Sequence, residues 1–140
     1  MVNHRSGLLG VSATSADLRT LLAREHGDVR AADAVALFCY QAKKWIGAFA
    51  AALGGLDMLV FAGGIGENAA PIRQRICDGL EYLGIGIDEQ ANRRHAQRIS
   101  PETGYSVTVR VIRTDEESVI AELTARLLDM QTEEDTNGTS

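Results

Sequence analysis

Three glycines lie within four positions near the middle of the chain, between an apolar run and a segment of helical character. The stretch is VFAGGIGENAAPIRQR, residues 60–75, and its glycines are Gly63, Gly64 and Gly66. Glycine allows a backbone to approach a ligand closely, and the free N–H groups at the start of a helix attract anions such as phosphate. A tight turn between a strand and a helix would use the same residues without any ligand. The pattern by itself leaves both interpretations open.

The same segment also matches a fingerprint of dinucleotide binding. Gly64, Gly66 and Ala69 fit its GxGxxA variant, and Asp88 follows about twenty residues later, where a ribose-binding acid would be expected. Two features argue against this alternative. The fingerprint normally opens its domain, whereas here the longest predicted helix comes first. Asp88 is also a suitable N-cap for a predicted helix, which explains it without a ligand.

The segment SATSADLR, residues 12–19, places a cluster of polar side chains in front of a predicted helix. Ser15 is a suitable N-cap for a helix over about Ala16–Arg24. Helix capping therefore accounts for Ser15, and in part for Asp17. It does not require Arg19.

A second polar segment, RTDEES at residues 113–118, follows a predicted strand and opens the last predicted helix. Thr114 and Glu117 have the spacing of a capping box, in which each side chain bonds the other residue's backbone N–H. Capping thus accounts for Glu117 fully. It accounts for Glu116 only in part, because an acid after the end of a strand can also hold Mg²⁺ directly or through water.

Apolar spacing predicts helices that alternate with short strands, which is typical of an α/β layered domain. In the longest helix, six apolar residues form a continuous face that we expect to be packed: Val35, Phe38, Ala42, Trp45, Phe49 and Ala52. The continuous apolar run after it predicts an inner parallel strand. The predicted helices are about 16–24, 29–53 (beginning after Asp28 and ended by Gly54), 69–82 (capped by Asn68), 88–99 and 115–130. The predicted strands are 58–62, 84–87 (weak) and 107–113.

Composition favours a single folded domain and excludes several classes of protein. The chain has 140 residues, 45% hydrophobic and 24% charged, with a formal charge of −5 and no basic block, which argues against a nucleic-acid partner. The longest apolar stretch, about Ile46–Leu53, is too short to span a membrane, and the N-terminus lacks the apolar core of a signal peptide. Cys39 and Cys77 lie at apolar helical positions, so we expect reduced core thiols and a cytoplasmic protein.

Taken in order, three segments closely resemble the C-terminal part of acetate kinase: SGLLGVSATSADLR, VFAGGIGENAAPIRQRICDGLEYLGI and IRTDEES. That family belongs to the acetate and sugar kinase, Hsp70 and actin superfamily. The resemblance implies an α/β fold, the C-terminal half-domain of the ribonuclease H-like, actin-like ATPase fold. It also implies a nucleotide-binding domain over residues 1–130. The tail, residues 131–140, contains no apolar residue that could be buried, so we expect it to be disordered.

The resemblance assigns ligand-binding roles by position. It places an adenosine-binding element on Asp17, Leu18 and Arg19, and the Mg²⁺-associated glutamate on Glu116. A glycine loop that contacts the adenine and ribose end of the nucleotide falls on Gly64, Ile65, Gly66, Glu67 and Asn68. Two positions depart from the family pattern. Ala13 stands where glycine is usual, and Asp115, in place of the usual asparagine, adds a negative charge beside the metal position.

The implied reaction is phosphoryl transfer between ATP and acetate with Mg²⁺, which gives acetyl phosphate and ADP. In the family, the acetate pocket and the catalytic groups lie in an N-terminal domain and a central segment, so we expect no catalytic residue in this chain and no activity from it alone. His4, His26 and His95 lie near polar residues, and we expect all three at the surface. The resemblance also implies a homodimer, formed through the helix at about 30–53. The alternatives are a non-catalytic nucleotide-binding or dimerisation module and, less favoured, a dinucleotide-binding domain.

Overall fold

The computed structural model describes Ser12, Ser15 and residues 17–113. The helix predicted for residues 115–130 and the tail predicted for 131–140 lie outside the described residues. The elements, in chain order, are α1 Leu18–Arg24, α2 Val29–Leu53, β1 Met58–Phe61, α3 Gly63–Asn68, α4 Ala70–Cys77, a 3₁₀ turn at Glu81–Leu83, α5 Glu89–Arg93 and β2 Thr108–Val111.

The two strands pair in parallel, with Met58 opposite Thr108 and Phe61 opposite Val111. The predicted α/β class is therefore confirmed, and both strands lie within their predicted ranges. Because the strands are parallel, their carboxyl ends meet at one edge of the sheet, and α3 starts at that edge. The weak strand predicted at 84–87 is wrong. Gly84 adopts φ +81°, and although its carbonyl accepts a bond from Val107 N (2.9 Å), the segment forms no ladder.

Local signals explain the ends of α1 and α2. The Asp28 carboxylate accepts bonds from the N–H groups of Arg30 and Ala31, and α2 ends at Gly54 in the left-handed conformation, φ +77°. The predicted cap of α1 is wrong by two residues. Asp17 is the N-cap, since its carboxylate accepts from Arg19 N (3.1 Å), while the Ser15 hydroxyl accepts from Asp17 N (3.0 Å). The helix therefore begins at Leu18.

Two apolar clusters form the core. The first joins α1, α2 and α4 around Leu21, Val35 and Ile72; the second lies on the sheet and includes Ile85 and Val109. Partly buried Ile46 and Phe61 pack against both clusters. The core therefore runs continuously from the helical layer to the sheet.

The predicted burial of α2 and β1 is only partly right. Val35 is buried, but Trp45 and Phe49 are each 58% exposed, and Met58 and Val60 are also exposed. The packed face of α2 runs through Ile46 and Ala50 in its second half, and Trp45 and Phe49 lie beside that face. No described element covers the face of β1 that carries Met58 and Val60. Within the described residues, no helix is long and apolar enough to cross a membrane.

Both cysteines are free and buried, as predicted. Burial raises the pKa of the Cys39 thiol, and it raises the pKa of the Cys77 thiol from 9.0 to about 12. The folded chain therefore keeps Cys77 protonated in a pH range where the unfolded chain ionises it. It follows that this residue's contribution to stability is lost as the pH rises from 9 towards 12.

We expect Cys77→Ala to flatten the alkaline loss of stability. Between about pH 8 and pH 10.5, the wild-type chain should lose about 2 kcal/mol more of its free energy of unfolding than the variant loses. The measurement is urea unfolding of both proteins at the two pH values. The variant will be less stable at both, because a cavity replaces the thiol, so the test is the difference between the two losses. Equal losses would contradict the assigned burial of this thiol.

Candidate functional site

The glycine segment is itself a short helix, α3, that begins directly after β1. The sequence pattern predicts a turn here, with Asn68 as the cap of the following helix, and both predictions are wrong. Asn68 is the last residue of α3, and its side-chain amide donates back to the Gly64 carbonyl (3.0 Å). The N-cap of α4 is Ala69, which has no side-chain cap. Asn68 is one residue too early to cap α4, because it is still part of α3.

The fold explains two of the three glycines in α3, each by a different cause. Gly63 has φ +74°, a left-handed conformation that favours glycine. At Gly66, an added Cβ would lie 3.2 Å from the carbonyl carbon of Phe61, so close packing explains this residue. Gly64 has neither reason, since its φ is not positive and no described atom would lie within 4 Å of an added Cβ. The fold of the described residues thus leaves Gly64 unexplained.

The side chain of Arg73, in α4, is fully buried beneath α3. Its Nη1 donates to the carbonyls of Gly66 (2.7 Å) and Glu67 (3.0 Å), at the C-terminal end of α3. Its Nε donates to Asn92 Oδ1 (2.7 Å), and its Nη2 donates to the Asn92 carbonyl (2.8 Å). Burial lowers the pKa of Arg73. A buried cation is thus placed where helix carbonyls have no helical partners.

His95 is exposed, as predicted, but it also contacts this network. Its Nδ1 lies 2.9 Å from the Glu67 carbonyl and 3.2 Å from Arg73 Nη2. Its φ is +53°, which is uncommon for a residue other than glycine. The predicted helix over 88–99 is accordingly shorter, ending at Arg93 in the structure. His26 is exposed as predicted, and His4 lies outside the described residues.

A cleft of about 650 Å³ opens beside α3. Glu67 and Asn68 line one side of it, and residues at the carboxyl end of β2 line another. In parallel α/β sheets, ligands bind outside the carboxyl ends of the strands, which is where this cleft lies. Its cationic lining comprises Arg94, Arg110 and Arg113, and none of the three forms an ion pair with a described residue.

The other predicted nucleotide element lies at the start of α1. Leu18 is buried in the first core cluster, and Ile65 of α3 packs against the same cluster. The core therefore brings these two predicted segments together. Asp17 and Arg19 have exposed side chains, 3.8 Å apart, and the Asp17 carboxylate also accepts a bond from the Thr20 hydroxyl (3.1 Å).

The remaining predicted residues divide into one with a structural role and several outside the described residues. Asp88 caps α5, accepting a bond from Ala91 N (2.8 Å), and it follows no strand, which removes the main support for dinucleotide binding. Glu116 and the capping pair Thr114 and Glu117 lie outside the described residues. Within those residues, no three His, Cys, Asp or Glu side chains form a group that could hold a metal ion.

Sequence reasoning missed Arg73 and Asn92, which are 0% and 2% exposed. A signal for Arg73 was present, because it lies four residues after Ala69 and four before Cys77, both of them buried. An arginine in such an i, i+4 row of small apolar residues faces the core. No comparable signal marks Asn92, which lies in a short polar helix.

Comparison with known proteins gives consistent results. Residues 1–122 match the Acetokinase family. The acetate kinase of Phocaeicola vulgatus is 45% identical to this chain, over 91% of this chain and 33% of the relative. The acetate kinase of Solibacter usitatus is 46% identical, over 91% of this chain and 32% of the relative. Among solved structures, the acetate kinase of Porphyromonas gingivalis has a TM-score of 0.82 at 42% identity, covering 91% of this chain and 33% of the other. The acetate kinase of Entamoeba histolytica has a TM-score of 0.81 at 32% identity, covering 89% of this chain and 34% of the other.

The chain therefore spans about one third of the length of these relatives. The match to solved acetate kinases confirms the predicted fold, an α/β part of the actin-like ATPase fold. On the family match and on the identities, this chain belongs to the acetokinase family.

Proposed function

We propose that this chain forms the nucleotide-binding part of an acetate kinase site, in the domain expected over residues 1–130. The site would serve phosphoryl transfer between ATP and acetate, giving acetyl phosphate and ADP. The observation that carries the proposal is Gly64. It lies in α3, at the carboxyl edge of the sheet, and neither its conformation nor its packing against described residues explains a glycine. The last two residues of the same helix, Glu67 and Asn68, line an open cleft. A ligand that approaches the backbone would explain the glycine.

The nucleoside would lie against α3 and the start of α1. In this proposal Gly64, Ile65 and Gly66 present backbone to the adenine and ribose, and Glu67 and Asn68 contribute from the rim of the cleft. The residues Asp17, Leu18 and Arg19 form the second wall. The shared core cluster of Leu18 and Ile65 supports this arrangement, because it keeps the two walls adjacent.

The phosphates would occupy the cationic part of the cleft. Arg94, Arg110 and Arg113 line it without carboxylate partners among the described residues, so their charges are available to a polyanion. Mg²⁺, when bound, neutralises phosphate charge. We propose Glu116 as its protein-side carboxylate, held directly or through water.

Phosphoryl transfer depends mainly on positioning and on neutralising charge at the phosphoryl oxygens. The described residues are suited to positioning the nucleotide. The chain spans about one third of the length of its relatives, and we propose that acetate and the catalytic groups are held by parts of the family fold outside these 140 residues. We therefore expect no catalytic residue among them. We also propose a cytoplasmic protein with no nucleic-acid or membrane partner.

One further observation favours a second role, dimerisation. Trp45 and Phe49 stack on the second half of α2, with ring centroids 5.8 Å apart, and Leu53 extends this apolar surface. Exposed apolar surface of this kind is typical of a protein interface. A homodimer through α2 is compatible with nucleotide binding, and it would be the remaining function if the chain bound no nucleotide.

Gly64→Ala should separate binding from folding. The added methyl group enters space that is open among the described residues, and alanine costs less backbone entropy, so stability should hold or rise by about 0.5–1 kcal/mol. ATP affinity should nevertheless fall about tenfold, equivalent to about 1.4 kcal/mol, because the methyl group would displace the nucleoside. The measurements are a thermal melt and a calorimetric titration with ATP.

Gly27→Ala is the matched control. Gly27 is exposed between α1 and α2, its φ is not positive, and its Cβ would also meet no described atom within 4 Å. This variant should bind ATP as the wild type does. Wild-type ATP affinity in the Gly64→Ala variant would contradict the proposed role of α3.

We expect the chain alone to bind ATP without making acetyl phosphate. Removing one electrostatic stabiliser of a transition state typically costs about 10²–10³ in rate, and in this proposal several are absent together. The assay is acetyl phosphate formation from ATP and acetate with Mg²⁺, using protein from a host without its own acetate kinase. Turnover of about 1–10³ per second would place the catalytic groups within this chain instead.

A further inference from the structure

We propose that the buried pair Arg73 and Asn92 is a positioning element that holds α3 in its nucleotide-binding geometry from the side away from the ligand. The inference rests on the proposed function, since it assigns nucleotide affinity to two residues that need not touch the nucleotide. Both are nearly inaccessible to solvent, Arg73 at 0% and Asn92 at 2% exposure.

The glycine helix α3 has little packing of its own to fix its position. It has six residues, none of them fully buried, with Ile65 packed against the first core cluster, and helices this short are unstable in isolation. Two of its polar contacts are internal, from Gly63 N to Glu67 Oε1 (3.1 Å) and from Asn68 Nδ2 to the Gly64 carbonyl (3.0 Å). Internal bonds shape a helix but do not fix its place against the rest of the molecule.

Arg73 provides a polar link between α3 and the core. One guanidinium nitrogen donates to two successive carbonyls, those of Gly66 and Glu67, at 2.7 and 3.0 Å. Two donor directions on a rigid planar group restrict both the distance and the tilt of the end of α3. A shift of α3 would leave these buried groups without partners, which is costly in a region of low dielectric.

Asn92 determines the orientation of that guanidinium. Its Oδ1 and its backbone carbonyl accept from Nε (2.7 Å) and Nη2 (2.8 Å), while its Nδ2 donates to the Ala70 carbonyl (3.0 Å). The neutral amide matters here. Among the described residues Arg73 has no carboxylate partner, so directional hydrogen bonds rather than charge attraction set its plane. A carboxylate at position 92 would draw the guanidinium away from the carbonyls of α3.

The test compares Asn92→Leu with Ile85→Ala in the full 140-residue chain. Leucine matches asparagine in the number and branching of its side-chain heavy atoms and removes both side-chain hydrogen bonds. Ile85 is fully buried in the second core cluster and forms none of the hydrogen bonds of the network, so Ile85→Ala destabilises the fold at a separate place. Amide hydrogen exchange of α3 without nucleotide and the Kd for ATP are measured at a temperature where both variants are folded.

We expect Asn92→Leu to accelerate exchange in α3 selectively and to raise the Kd for ATP about tenfold, the lower end of the range for residues that support a binding group from behind. Ile85→Ala should lower the melting temperature and leave both readouts at wild-type values. Unchanged exchange and affinity in Asn92→Leu would overturn the inference, and so would equal changes in the two variants. If Asn92→Leu does not fold, Asn92→Asp takes its place, with the same readouts and the same overturning results.

A wild-type chain that binds no ATP would refute the proposed function and not this inference. Selective exchange of α3 in the position-92 variant would then still support the positioning role, because that readout needs no ligand.

Discussion

The candidate site depends on one buried cation. The guanidinium of Arg73 lies under the glycine helix and is satisfied by carbonyl and amide oxygens rather than by an acid among the described residues. A buried charge is tolerable only when its hydrogen bonds are complete. Meeting that requirement joins α3 and α4, which are consecutive in the chain, to α5, whose Asn92 lies 19 residues after Arg73. The hydrogen bonds to Arg73 thus fix the position of α3, although three of its six residues are glycines.

The parallel pairing of β1 and β2 supplies the second constraint. It brings the start of α3 and the carboxyl end of β2 to the same edge of the sheet, so that the glycine helix and the arginines of the cleft are neighbours. The first core cluster adds the start of α1 through Leu18. The end of α3 and the end of β2 thus line one cleft, and the core links the start of α1 to α3. The proposed nucleotide site needs this arrangement, because a nucleoside and its phosphates extend beyond what one loop can contact.

Exposed apolar side chains occur along α2, including its second half, and on one face of β1. Trp45, Phe49 and Met58 are each about half exposed or more. For a chain that spans about one third of its relatives, such surfaces fit the proposal that further protein, a second copy or the rest of the family fold, packs there. Trp45 and Phe49 belong to the predicted apolar face of α2, yet both are exposed, so apolar spacing alone did not predict burial in this helix.

The sequence by itself determined the features that depend on near neighbours. Asp28 and Gly54 mark the two ends of α2, the strands lie within their predicted ranges, and the motifs sufficed to identify the family. These features are local, because a cap or a left-handed glycine acts within a few residues of itself. Burial is not local. Only the tertiary structure decided that Arg73 and Asn92 are buried together, that Trp45 is exposed, and that Gly64 alone among its neighbouring glycines has no structural reason. Each of these outcomes depends on which elements meet in space, and packing between distant segments settles that.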